Sequence, residues 1–267
     1  MKKIAIAAIC SLSLTTLFAQ SREARQQKKD ERKERINELV KQEEEGALIF
    51  NKQNVFGVRL TTDGYSAFYE LGRLKTPTKT TLYSIELGER KHPKEEKLTR
   101  GNTFGPALGN PYIYGKVNNF YYLKLGIGQQ RLIGGKGNKN GVAISAIYGG
   151  GFTAGLLKPY YIEINDATGS RADIKYDGGN DSTFLSSENI YGASNFGKGF
   201  NEINFVPGVF AKTALRFDYG RFNESVNAIE VGLNFDFYSK TIPILLLNDQ
   251  KRFFFSAYAS ILFGRRK

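Results

Sequence analysis

Period-two alternation runs through this chain from about residue 54 to its end, and no other feature limits the fold as much. Successive side chains of an extended strand point to opposite faces, so each alternating segment has one apolar face and one polar or small face. The segments have the length of a tilted membrane strand, roughly 9 to 11 residues. In the first, 54–62, Phe56, Val58 and Leu60 alternate with Gly57, Arg59 and Thr61. In the second, 65–74, Tyr65, Ala67, Tyr69 and Leu71 alternate with Ser66, Phe68, Glu70 and Gly72. Asp63-Gly64 between them is a two-residue hairpin signal that pairs 62 with 65, 60 with 67, 58 with 69 and 56 with 71, placing both apolar sets on one face.

Six more segments repeat the pattern. The third sets Tyr83, Ile85 and Leu87 against Ser84, Glu86 and Gly88; the fourth sets Val117, Tyr121, Leu123, Leu125 and Ile127 against Asn118, Tyr122, Lys124 and Gly126. The fifth has Val142, Ile144, Ala146 and Tyr148 against Ala143, Ser145, Gly149 and Gly151, and the sixth has Val209, Ala211, Leu215 and Phe217 against Gly208, Lys212, Arg216 and Asp218. In the seventh, Ile229, Val231, Leu233, Phe235 and Phe237 oppose Glu230, Gly232, Asn234 and Asp236; in the last, Phe253, Phe255, Ala257, Ala259, Ile261 and Phe263 oppose Ser256, Tyr258, Ser260 and Gly264.

A soluble β-sandwich also alternates, with its apolar face inward. Here the polar face is glycine-rich and carries mid-strand charges of both signs, Arg59, Lys124, Lys212 and Arg216 with Glu70, Glu86, Glu230 and Asp236, which suits a narrow polar lumen in which they pair. Tyr65, Tyr112, Tyr114, Tyr160, Tyr161 and Tyr219 at segment ends are read as interfacial girdles. The expected fold is all-β: an up-and-down antiparallel transmembrane barrel of eight strands. Connection lengths agree, with short turns at 75–78, 132–140 and 220–224 on the periplasmic side. On the outer side Asp63-Gly64 is followed by long loops at about 89–116, 160–204 and 240–250. A further hairpin around Tyr160 to Ile164 would raise the count to ten.

Ahead of the barrel, Lys2 and Lys3, an apolar stretch from Ile4 to Leu17 and Leu17-Phe18-Ala19 before Gln20 form a secretory signal peptide over 1–19. Cys10, the only cysteine, leaves with it, and a lipoprotein reading is disfavoured by Ala7-Ala8-Ile9 before it. Residues 20–46 read as a charged periplasmic helix with i,i+4 pairs, whose one apolar stripe, Ile36, Leu39 and Val40, offers a grip for a periplasmic partner; 47–267 is the barrel. Elsewhere no uncharged apolar run approaches the length of a spanning helix. The net charge of +12 finds no nucleic acid after export.

The signal ending Leu17-Phe18-Ala19-Gln20, the alternating body and the terminal strand Arg252-Phe253-Phe254-Phe255-Ser256-Ala257-Tyr258 resemble the small outer-membrane β-barrel proteins of Bacteroidota. That group includes PorT-like and PorG-like accessories of type IX secretion and OmpA-like or OmpX-like structural barrels. The resemblance covers about 47–267 and implies a cell outer-membrane protein in contact with lipid and lipopolysaccharide. One departure is that Phe263 is followed by Gly264-Arg265-Arg266-Lys267, whereas such barrels usually end on the aromatic residue.

For chemistry, Lys91, Lys94, Lys97 and Arg100 on an outer rim are positioned to pair with lipopolysaccharide phosphates. The competing enzyme reading is a lipid A modifying hydrolase or acyltransferase. It would use His92, the only histidine, oriented by Glu89, Glu95 or Glu96, with Ser84 or Ser145 as nucleophile. The His and Ser two apart on one strand face that mark a resembling deacylase are absent. Asp177-Gly178-Gly179-Asn180-Asp181-Ser182 has calcium-type donors without the EF-hand spacing and reads as a polar loop. Gly134-Gly135-Lys136-Gly137 reads as a turn, and Gly149-Gly150-Gly151 as relief of lumen crowding or a strand bend. A diffusion pore is a third reading, opposed by the lumen charges. The sequence thus predicts a plugged, non-enzymatic barrel without cofactor or metal, serving as a structural or secretion and assembly accessory.

Overall fold

The computed structural model describes residues 26, 29–33, 51–99, 109–136, 141–165, 170–220 and 224–267. The signal peptide, most of the 20–46 helix and Arg100 lie outside them; residues 26 and 29–33 are helical, with Lys33 and Asp30 at 3.9 Å. Thirteen strands follow in chain order: β1 Lys52–Thr61, β2 Gly64–Thr76, β3 Lys79–Arg90, β4 Lys97–Leu98, β5 Tyr112–Ile113, β6 Asn118–Gly134, β7 Ala143–Pro159, β8 Tyr161–Asn165, β9 Arg171–Lys175, β10 Ile190–Ala193, β11 Asn204–Asp218, β12 Ser225–Ile242 and β13 Lys251–Arg266.

Eight of these close an antiparallel barrel in the order β1-β13-β12-β11-β7-β6-β3-β2, a meander in which every barrel strand pairs with its sequence neighbours. Closure joins the first strand to the last, Phe56 opposite Phe263 and Val58 opposite Ile261. The apolar alternation points outward: Phe56, Ile85, Ile127, Phe152, Val231 and Ile261 are all exposed on the wall, while the alternate positions are buried inside. Eight strands leave an interior just wide enough for side chains to fill. The hairpin near Tyr160 does exist, but β8 pairs with β9 and β10 in a separate three-stranded sheet, so the barrel has eight strands and not ten.

Strands β2, β6 and β11 end, and β3, β7 and β12 begin, at the end of the barrel where β1 starts and β13 finishes. There Lys267 N–H donates to the Lys52 carbonyl, and Asn51 N–H to that of Lys267. The three long connections build a cap at the opposite end, with a core of Tyr112, Ile162, Phe184 and Ile190. Beneath it Phe120, Tyr238 and Phe254 stack at 5.4 to 5.9 Å across the barrel mouth.

Three sequence expectations change. The first hairpin turns at Thr62 and Asp63, pairing Thr61 with Gly64, Leu60 with Tyr65 and Phe56 with Tyr69. That is two residues from the expected register. No residue of the turn has the positive φ that a type I′ Asp-Gly turn requires, and Thr62 N–H donates to the Ala257 carbonyl and Lys91 N–H to that of Asp63, extending the neighbouring ladders past the hairpin. Second, Tyr112 is buried in the cap core, the Tyr160 hydroxyl accepts from Ile113 N–H and Tyr114 donates to the Leu185 carbonyl, so these rings build the cap and form no girdle; Tyr65 and Tyr219 are exposed. Third, Val117 is buried just before β6, tied by its N–H to Ile244.

Candidate functional site

All eight charges predicted for the lumen are buried inside the barrel. They are brought there by alternation on six different strands, since an inward position recurs at every second residue. At the centre Arg216 from β11 makes a fork onto Glu70 of β2, Nη1 to Oε1 at 2.8 Å and Nη2 to Oε2 at 3.0 Å, and reaches Glu230 of β12 at 2.6 Å. Arg59 of β1 bridges Glu86 at 2.6 Å and Glu230 at 3.3 Å, and donates through Nε to Ser260 at 3.0 Å. Neutral donors add to two of these carboxylates. Tyr258 donates to Glu230 at 2.7 Å, and Ser66 and Tyr122 donate to Glu86 at 2.9 and 3.2 Å. Arg59 also lies on the faces of Tyr258 and Phe68, at 4.0 and 4.7 Å from the ring centroids. Lys212 stands 3.9 Å from Glu70.

The structure adds a charged layer on each side of this centre. Toward the cap, Asp236 takes both Lys124 and Arg90 at 2.7 Å, and Arg90 also meets Asp63 at 2.6 Å. Toward the termini, Asp218 is bound by Arg266, with Lys136 at 3.7 Å, and Arg266 donates to Gln53 at 3.4 Å. Sequence reasoning passed over Asp63, Arg90, Lys136 and Arg266 and did not include Asp218 among the charges. The signal was parity: Arg90 follows Glu86 and Gly88 on the inward face of β3, and Arg266 follows Gly264 on that of β13. On β7 Gly149 and Gly151 face inward opposite Gly128 and Gly126, and a side chain on Gly126 would meet the Phe210 ring at 2.7 Å. This glycine strip makes room for Phe210 to lie across the lumen, with Lys124 Nζ 5.1 Å from its centroid.

On the cap side Lys91, Lys94 and Lys97 are exposed, Lys91 within 5.3 Å of the Tyr65 ring centroid and Lys97 on β4. His92 is half-buried. Its Nδ1 accepts from Lys94 N–H at 3.2 Å, and its own backbone N–H donates to Glu95, whose carboxylate is held by Lys116 at 3.1 Å. Burial lowers the imidazole below its ordinary value, Lys251 and Lys94 add to this, and Glu95 opposes it. Neither serine comes to it. Ser84 lies six residues down β3 from Arg90, on the order of 20 Å at the rise of a strand, and Ser145 is buried near the termini, accepting from Gln130. In the 177–182 loop Asp177 already accepts the N–H groups of Gly179 and Asn180 at 2.9 and 3.1 Å, and Tyr176 donates to Asp181 at 2.7 Å. Among the described residues no group of His, Cys, Asp and Glu is arranged to hold a metal ion.

No protein-family model and no curated protein matches the chain. Similar solved structures include Neisserial surface protein A (TM-score 0.38, 9% identity, 81% of this chain and 96% of that one). Another is the N-terminal β-barrel domain of Pseudomonas aeruginosa OprF (0.36, 9%, 80% and 98%). A third is Ail, the attachment invasion locus protein of Yersinia pestis (0.36, 7%, 82% and 100%).

What the interior can do chemically follows from its packing. Its charges are paired, and at the centre Arg59, Arg216, Glu70, Glu86 and Glu230 are hydrogen-bonded as well, which is the condition under which ionised groups tolerate removal from water. Near the termini a cavity of about 20 Å³, between Leu74, Gln130 and Arg266, has room for about one water. The arrangement is that of a closed plug.

Proposed function

We propose that this chain is an integral outer-membrane β-barrel protein with a plugged polar lumen, acting as a non-enzymatic structural or secretion and assembly accessory. The observation that carries the reading is the inversion of ordinary burial: exposed apolar side chains such as Phe56, Phe152, Val231, Phe255 and Ile261 clothe the wall, while Arg59, Glu70, Arg216, Glu230 and Asp236 are sealed inside. In water such a surface far exceeds what monomers expose, and in a bilayer it is the lipid-facing band of a barrel. The closed meander supports the same reading, because it leaves no strand edge unpaired in lipid.

On this reading the terminal end with its short turns faces the periplasm and the cap faces outward. Residues 1–19 direct export, and the charged 21–46 segment reaches periplasmic partners. Lys91, Lys94, Lys97 and Arg100 bind lipopolysaccharide phosphates. The test is the gel mobility of outer-membrane extracts with and without boiling. The unboiled protein is expected to migrate as a compact barrel and shift on heating, and a chain lacking 21–46 is expected to keep that shift while losing its crosslinked periplasmic partners. A soluble periplasmic protein without a shift would overturn the membrane reading.

A further inference from the structure

One tight turn of the cap does not sit over the barrel mouth. It lies over the outward face of the last residues of β7. Outward positions on β7 run through Phe152, Ala154 and Leu156 to Lys158, and Leu156 pairs with the exposed Phe205 of β11 in the top row of the apolar band. Lys158, the next outward residue above that row, is only 2% exposed because residues 195–200 cover it. Its ammonium donates to the Phe196 carbonyl and lies 4.0 and 4.2 Å from the ring centroids of Phe196 and Phe200. The two rings meet edge to face at 5.5 Å. Although both cover Lys158, they remain 68% and 47% exposed on their other sides.

The turn is built to hold this pose. Asn195 Oδ1 accepts from Gly197 N–H at 2.9 Å, and Lys198 N–H donates to the Asn195 carbonyl at 3.0 Å. Gly199 has φ 84°, and a side chain there would meet the Pro159 carbonyl at 2.9 Å, so only glycine lets the turn lie this close to the end of β7. Two ion pairs to β9, Lys198 with Asp173 and Lys175 with Glu202, tie it back to the cap. A loop that is fastened on both sides, yet leaves two adjacent phenylalanine rings bare, presents them to something apolar.

We infer that Phe196 and Phe200 form an aromatic foot that enters the outer membrane interface beside the barrel and fixes the cap to the lipid surface. The occupant is lipid because the two bare rings lie over Lys158, one outward position above the Leu156 and Phe205 row of the band, where the interface of a bilayer covering that band would begin. The inference rests on the membrane reading above.

The chain contains no tryptophan, so each position can be read by a single reporter. Phe196→Trp and Phe200→Trp, and Phe152→Trp as a control in the wall, are refolded as full chains into phosphatidylcholine vesicles brominated either near the glycerol or near the methyl end of the acyl chains. Both foot reporters are expected to lose roughly half of their emission to the shallow bromines and less to the deep ones, as interfacial aromatics do. Emission at both positions that ignores bromine and is quenched by aqueous acrylamide, with Phe152→Trp still quenched by lipid, would overturn the foot alone. Loss of bromine quenching at Phe152→Trp as well would overturn the membrane reading and the foot with it.

Discussion

Arg216 donates to both oxygens of Glu70 and to Glu230 from a site that is 1% exposed, and its charge has no route to water. Its removal therefore costs more than the lost contacts. Two carboxylates stay buried with only Lys212 at 3.9 Å and Arg59 at 3.3 Å to balance them. Breaking a buried pair from one side costs about 3–5 kcal/mol, whereas replacing a whole ionic group by neutral residues is close to neutral. Arg216→Met is thus expected to lower barrel stability by about that amount in urea titrations read by the gel shift. Adding Glu70→Gln to it, which leaves Arg59 and Lys212 against Glu86 and Glu230 with no charge in excess, is expected to restore most of the loss. If the double variant were as unstable as the single one, the cost would come from packing around the guanidinium and not from uncompensated charge.

At the scale of elements, alternation told which face of each strand looks inward, and so which charges share the lumen. It could not fix the register, because a slip of two residues leaves every side chain on its face. The first hairpin shows this: Leu60 pairs with Tyr65, not Ala67, and both registers keep Phe56, Leu60 and Tyr69 outside. Charge pairing does distinguish them. Arg59 must lie level with Glu86, two strands away, and with Glu230 across the lumen, which a two-residue slip would forbid. Of the cap only the loop lengths and a hairpin near Tyr160 were legible, since β8, β9 and β10 are five residues or fewer and β10 pairs with β8 across the intervening β9. The foot left no pattern at all, because its geometry depends on Lys158, nearly forty residues before it.

The clasp between Lys175 and Glu202 carries a pH prediction at the same scale. The Glu202 carboxyl is held below its ordinary 4.5, first by the Lys175 hydrogen bond and then by that of Tyr161. A carboxyl depressed by folding stabilises where it is ionised, fully above 4.5, and that contribution is lost as pH falls through its folded value. The anisotropy of Phe200→Trp is expected to drop on acidification below 4.5 as the turn loosens from β9. In a Glu202→Gln background the acid limb should vanish. An identical limb there would assign the titration to another group.

For the whole molecule, closure by three charged layers and an aromatic stack makes the interior a support for the wall and leaves ions no path. The central layer alone has Arg59, Glu70, Glu86, Arg216 and Glu230 between 0% and 5% exposed, and the mouth beneath the cap is filled by Phe120, Tyr238 and Phe254. Planar bilayers containing the full chain are accordingly expected to show no conductance steps. The layers act in series, which sharpens the prediction. Replacing the central set with Arg59→Ala, Glu86→Ala, Arg216→Ala and Glu230→Ala should also leave the bilayer silent, because Arg90 with Asp236 above and Arg266 with Asp218 below still close the ends. Steps from the unaltered protein would show that the network parts in a membrane, and the plug would then be a gate. Steps from the fourfold variant alone would mean that the central layer is the only real barrier and that the outer layers yield to ions.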